Sequence, residues 1–278
     1  MTTATISAAD VNKLRQQTGS GMMDCKKALV EANGDFEAAI DILRKKGQKI
    51  AANRQDREAK EGYVFGKTSK DSKHGVIVAV CCETDFVAKN AEFIKYGESI
   101  LDLAISNNPA NIDELKSLKL GNQTVAETLI DQMGKIGEKI DVVDYQNVHT
   151  DYVVVYNHPG YRLSSMVGFN ISDTSVNEAG RDVAMQVAAM APVAIDKEDV
   201  DQKLLEREIE IAKEQIRAEG KPENMIDKIA QGKINKFYME YTLLNQQFIK
   251  DDKITIRKHL ENINKNLKIT EMKRVKIG

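Results

Sequence analysis

A chain of 278 residues, 42% of them hydrophobic, is long enough to build the cores of two or three domains. Its 40 basic and 42 acidic residues leave a formal net charge of −2, so no overall positive field holds nucleic acid by its phosphates, and direct nucleic-acid binding is not expected. The start MTTATISAAD lacks the basic and apolar regions of a signal peptide, no apolar run has bilayer-spanning length, and Cys25, Cys81 and Cys82 cannot all pair; reduced thiols, a cytoplasmic location and no membrane partner are expected.

Residues 8–47 read as three short helices punctuated by GSG at 19–21 and by Gly34. The first puts Val11 and Leu14 on one face. The second takes Asp24 as its N-cap and carries Ala28, Leu29 and Val30. The third starts at Asp35, carries Phe36, Ala39, Ile40 and Leu43, and is expected to stop at Gly47. So small a bundle buries little surface, which suits a module that docks on something. The polar stretch QKIAANRQDREAKEG, 48–62, has no apolar period and reads as a linker, with a part-helical form left open.

From Gly62 the pattern becomes GYVFGKT, a polar turn around SKDSKHG, and then GVIVAVCCE, apolar on both faces and therefore a central strand. After the TDFVAK connection, Asn90 caps a helix whose Phe93, Gly97, Ile100, Leu101 and Ala104 share a face. The same order recurs as DYVVVYN, a turn through HPGYR, the strand LSSMVGFNI, the connection SDTSVNEA, and a helix through Gly180, Val183, Ala184, Val187 and Ala188. GESILDLA (97–104) and GRDVAMQV (180–187) place glycine and apolar residues in register, which reads as an internal duplication of an α+β unit.

Residues 197–238 read as two charged amphipathic helices around AEGKPEN, where Gly220 ends the first and Pro222 opens the second. Leu204, Leu205, Ile209, Ala212 and Ile216 are set to face Met225, Ile229 and Ile234 in a projecting antiparallel arm, whose charged faces read most simply as solvated. The final segment, KITIRKHLENINKNLKITEMKRVKIG, offers a short helix and a strand to complete the second sheet. The fold class is therefore α+β, with antiparallel sheets. The divisions are 1–55 for the helical module, 56–146 and 147–278 for two related subdomains, and 197–240 for the arm.

No enzyme constellation is visible. His74, His149, His158 and His259 lie far apart and have no Cys or carboxylate at metal-ligand spacing, so they read as turn or surface residues. GSG lacks the preceding strand and following Lys-Ser/Thr of a phosphate-binding loop. Cys25 sits at a helix start beside Lys26 and Lys27, an environment that can lower a thiol pKa, but no base accompanies it. No metal or cofactor is expected. Two features ask for more. Either Met22 and Met23 both fill the small core, or one is offered outside as a flexible apolar contact. Phe86 either folds back onto Val87 and Phe93 or stands outward, next to Asp85, as an anchor.

LRQQTGSGMMDCKKALVEANGDFEAAIDILRKKG (14–47), VCCETDFVAKNAEF (80–93), KIGEKI (135–140), AMQVAAMAP (184–192) and the stretch from EGKPEN to LLNQQF together resemble the bacterial elongation factor Ts family, guanine-nucleotide exchange factors for elongation factor Tu. The resemblance implies a ubiquitin-associated-like N-terminal domain, a partner in elongation factor Tu, and no covalent chemistry. It assigns the exchange-promoting, magnesium-displacing role to Thr84, Asp85, Phe86 and Val87, with Phe86 entering an apolar pocket of the partner. Arg15, Met22, Met23, Arg54, Leu163, Ser164 and Gln186 are implied partner-binding positions, and a homodimer through the arm or core is left open. Two positions depart from the family pattern: Gln186 stands where His is frequent, and Leu163-Ser164 where an Ile-Gly pair usually follows Arg. Rival readings are an adaptor acting through 8–47 alone, an RNA binder, and an enzyme using Cys25.

Overall fold

Ser7 and Asp10 cap one another reciprocally to open helix α1 (Ala8–Thr18), which ends at Gly19 in the left-handed region, φ 65°. This is a computed structural model whose described residues are 6–173 and 175–278; the first five residues of MTTATISAAD and Thr174 of SDTSVNEA lie outside them. Helix α2 (Met22–Glu31) begins two residues before the expected Asp24, because the Gly21 carbonyl already accepts the amides of Asp24 (3.0 Å) and Cys25 (2.9 Å). Helix α3 starts at the Asp35 cap as expected but runs Phe36–Asn53, straight through Gly47. The expected stop is thus corrected, and of the stretch 48–62 the part up to Asn53 is helical. Gly47 is not a C-cap: a Cβ there would stand 3.2 Å from the Ile130 carbonyl, so its lack of a side chain serves a close approach between helices. Val11, Leu14, Cys25, Ala28, Leu29 and Ala39 close the module's core.

Strands β1 (Glu61–Thr68) and β2 (His74–Cys82) follow, the second buried at all nine positions as its two apolar faces foretold. A four-residue helix, α4 (Asp85–Ala88), precedes α5 (Ala91–Asn107), which Asn90 caps. The chain continues through α6 (Ile112–Ser117), the minimal hairpin β3 (Lys119–Leu120) and β4 (Gln123–Thr124), α7 (Val125–Ile136) and β5 (Asp141–His149). Strands β1, β2 and β5 make one sheet with β2 in the middle. Two compact units result: one takes residues up to Phe65, Val78–Tyr145 and the last two residues; the other takes Gly66–Ile77 and Gln146–Lys276. In the first, Phe93, Ile100, Ala104, Leu115, Val125 and Ile140 are fully or almost fully buried, and α3 lies on α7.

In the second unit, β6 (Tyr152–Asn157) and β7 (Leu163–Phe169) form a hairpin, α8 (Ser175–Met190) covers it, and the final strand β10 (Ile269–Lys276) pairs antiparallel with β7. The order β10-β7-β6 puts the hairpin's second strand in the centre, as β2 is in the first sheet. Hairpin, helix and late third strand recur, so the duplication read from sequence is present in the topology. Its in-register glycines share one cause. A Cβ at Gly97 would lie 2.4 Å from the Phe65 ring, and one at Gly180 would lie 2.5 Å from Val154, so each lets a helix press onto its sheet.

The helix pair is α9 (Gln202–Ala218) and α10 (Glu223–Tyr241), joined through Gly220 at φ 71°. Its seam holds Ala212, Ile216, Ile226 and Ala230, with Ile229 partly buried against them. Met225 faces outward at 46% exposure and Ile226 takes the expected inward place, one position on. Charges pair across the two helices, Lys213 with Asp227 at 2.7 Å and Lys233 with Glu219 at 3.3 Å. These exposed pairs set register more than stability. A small hairpin, β8 (Gln247–Phe248) and β9 (Asp251–Thr255), and α11 (Ile256–Ile263) complete the unit. Among the described residues no helix is long and apolar enough to cross a membrane.

Candidate functional site

The end of β2 turns outward because its last inward position is already filled. Cys82 is fully buried, and its thiol donates to the Thr84 carbonyl at 3.2 Å. Burial, with Glu138 and Cys81 nearby, pushes this thiol up to about 12, so it stays protonated and able to donate. Thr84 then caps α4. Its hydroxyl accepts the Val87 amide at 3.4 Å while donating to Glu138 Oε1 at 2.7 Å, and its own amide donates to Glu138 Oε2 at 3.0 Å. Ala88 is the residue of the turn that points inward; Phe86 is 83% exposed. Of the two orientations open to Phe86, the outward one is realised.

Asp85, beside it, is exposed, and its carboxylate meets Lys89 Nζ one helical turn on, at 2.6 Å. That hydrogen bond holds the Asp85 carboxyl below its usual range. Asp85 is therefore a charge already shared with Lys89.

Behind the turn stands a second carboxylate. Glu83 accepts the Lys139 amide at 2.6 Å and forms ion pairs with Arg54 and, at 3.1 Å, with Arg57. Lys139 Nζ returns to the carbonyls of Gln55 (2.7 Å) and Arg57 (2.8 Å). Arg54 is thus engaged within its own chain, at the end of α3. Burial pulls the Glu83 carboxyl upward, but the Lys139 amide and the two guanidiniums outweigh it and the net shift is downward. A depressed carboxyl contributes stability that is complete above its ordinary value near 4.5 and is lost as pH falls through the lowered value. Glu83→Gln is therefore expected to be less stable than the parent chain near neutral pH. In denaturant titrations the gap should narrow as pH falls below about 4.5 and through the lowered value of the carboxyl. A gap independent of pH would show that the charge on Glu83 does not matter.

In the N-terminal module Arg15 is exposed, and Met22 and Met23 are 49% and 62% exposed. Neither methionine fills the core, because Cys25 and Leu29 have taken the inward face of α2. Cys25 itself is fully buried, near the Ser20 carbonyl at 3.6 Å, which withdraws the thiol from the role of an accessible nucleophile.

The second unit places its three expected positions differently. Gln186 is fully buried; its amide nitrogen donates to Gln246 Oε1 (3.1 Å) and the Gln247 carbonyl (3.0 Å), and its oxygen accepts the Ile249 amide at 2.9 Å. Ser164 is also fully buried, and its single hydroxyl proton is shared between the Asn157 side-chain oxygen and the Tyr156 carbonyl at 3.2 Å. Leu163, at the strand's start, is half-buried. Gln186 and Ser164 are therefore interior residues rather than surface ones.

Two of the four histidines, His74 and His259, correct their reading as turn or surface residues. His74 is buried and its ring stacks on His149 with centroids 3.9 Å apart, while His259 stacks on Phe248 at 4.3 Å. His149 and His158 keep exposed places, His158 with Tyr156 Oη 3.1 Å from its Nδ1. Among the described residues no three His, Cys, Asp or Glu side chains gather as metal ligands. Sequence reasoning missed Glu83 and Glu138 as organisers of the turn. Glu138 was visible only as a letter within KIGEKI, and nothing local marks a carboxylate whose partner lies 54 positions away.

The fold and site define a duplicated α+β protein that displays one aromatic side chain on a short capped turn of its first unit. Sequence relatives extend this description to a family. A family description, Elongation factor TS, matches residues 83–278. Elongation factor Ts of Cytophaga hutchinsonii is 52% identical over 99% of this chain and 100% of its own. That of Amoebophilus asiaticus is 47% identical over 98% and 99% of the two chains, and that of Flavobacterium psychrophilum 46% over 99% and 100%. The chain belongs to the elongation factor Ts family, the proteins of translation elongation.

Proposed function

We propose that this chain binds elongation factor Tu, both GDP-bound and nucleotide-free, and promotes GDP release so that GTP can follow. Phe86 enters an apolar pocket between helices of the partner's nucleotide-binding domain, and Asp85 disturbs the groups and water that orient its magnesium. Thr84 and Val87 hold that turn. Arg15, Met22 and Met23 supply a separate contact from the N-terminal module, with Arg54 bracing the turn from behind. In the second unit Leu163 lies at the contact, while Ser164 and Gln186 set its shape. The reading rests on one observation above the others: a phenylalanine 83% exposed on a turn whose backbone is held by capping and ion pairs.

No bond is made or broken in this scheme. An exchange factor accelerates release only by binding the emptied partner more tightly than the loaded one, and by linkage the nucleotide then weakens the exchange factor equally.

Mixing the chain with elongation factor Tu tests the reading. A complex is expected on size exclusion without nucleotide, and GDP with magnesium in excess should dissociate it. A complex indifferent to nucleotide, or none at all, would refute exchange as the function.

A further inference from the structure

We propose that Glu138 is a positioning residue for the Phe86 turn, an inference that rests on the exchange reading above. A single helical turn does not persist on its own, since nucleation fixes several dihedrals for one hydrogen bond. Helix α4 has four residues and presents Phe86 to solvent, so Phe86 gains almost nothing from its own chain's core. Something outside the turn must fix it.

Glu138 does this at the cap. Its two carboxylate oxygens take both protons that Thr84 offers, the amide at 3.0 Å and the hydroxyl at 2.7 Å. A hydroxyl that has committed its proton to a carboxylate turns a lone pair the other way, and here that lone pair meets the Val87 amide. The rotor is set, the cap is set, and the direction of Phe86 follows. Gly137, in the left-handed region at φ 80°, ends α7 one residue earlier and brings Glu138 to this place. Glu83 and Lys139 tie the same two segments from the other side through a carboxylate–amide hydrogen bond of 2.6 Å. Preorganisation matters because an anchor that must be ordered on binding spends part of its burial energy on that ordering.

Stimulated release of a fluorescent GDP from elongation factor Tu tests this with Phe86→Ala, Glu138→Ala, Glu138→Gln and the double variant Phe86→Ala/Glu138→Ala. Glu138→Ala is expected to lose about tenfold in exchange efficiency, the scale of charge-assisted hydrogen bonds removed. Glu138→Gln keeps one acceptor oxygen in the same shape and should lose less. In the Phe86→Ala background, removing Glu138 should cost much less than in the parent chain, because most of its effect passes through that ring. Thermal unfolding by circular dichroism identifies variants that fold, and if Glu138→Ala does not, the cycle is run with Glu138→Gln. Normal exchange by the Glu138 variants beside an impaired Phe86→Ala overturns the positioning role and leaves the exchange reading standing. Losses that add fully in the double variant overturn it too, since Glu138 would then act elsewhere. Normal exchange by Phe86→Ala removes the wedge itself, a different failure.

Discussion

Phe86→Ala is expected to reduce stimulated GDP release from elongation factor Tu about ten- to a hundredfold while leaving the unfolding temperature almost unchanged. The two halves of this expectation have separate causes. Burying one phenylalanine removes about 150–200 Å² from water, which at about 25 cal/mol/Å² supplies an upper figure of about 4–5 kcal/mol. Ordering the side chain and opening the pocket consume part of it. The remainder accelerates exchange only insofar as the pocket fits the ring better in the emptied partner. The stability half follows from exposure: a side chain 83% in solvent has little to lose. Ile77→Ala and Ile100→Ala, both at fully buried positions, should instead cost about 2–5 kcal/mol through the cavities they leave. A fluorescent-GDP release assay and a denaturant titration on the same three proteins separate the effects. Undiminished stimulation by Phe86→Ala would take the ring out of the mechanism.

The wedge cannot supply the whole selectivity, and the structure does not ask it to. Met22 and Met23 stand outward on α2 of the same unit, and in the proposed scheme their flexible thioethers would supply a second contact. The second copy of the duplicated unit carries no aromatic residue in its strand-to-helix connection, SDTSVNEA. One copy of the fold thus keeps an outward ring while its twin turns the corner with polar residues.

Much of this was legible beforehand, and the rest was hidden for physical reasons. Caps are local, so Asp35 and Asn90 could be read from their neighbours. Periodicity is local too, and it identified β2 as central and Phe86 as surplus to both flanking elements. Gly47 misled because the same residue ends a helix by adopting φ > 0 or lets one helix touch another, and only the partner helix decides which. The outward Met225 and inward Ile226 differ by one step around a helix, a shift that the direction of the facing helix sets. His74 and His149 meet because the ends of two strands do. Glu83 and Glu138 are ordinary acidic letters until the chain folds, when contacts spanning 56 and 54 positions give them their partners.

Gly134→Val is expected to lower the unfolding temperature by several degrees and to raise protease cleavage after α3, whereas Gly232→Ala should raise it slightly. Both glycines lie inside helices, where propensity alone favours replacement by about 0.5–1 kcal/mol. Their surroundings reverse one sign. A Cβ at Gly134 would stand 2.8 Å from the Gly47 Cα, and backbone cannot swing aside as a flexible side chain can. The helices must separate, and overpacking of this kind costs about 1–3 kcal/mol or more. The damage spreads because the N-terminal module has a small core of its own and sits on α7 through α3. At Gly232, on α10, nothing lies within 4 Å of the added carbon, so only the gain from a stiffer unfolded chain remains. Paired thermal melts read both signs at once. If Gly134→Val were as stable as the parent chain, the close passage of α3 over α7 would not be what seats the module, and the exposed Met22 and Met23 would have no fixed position from which to meet a partner.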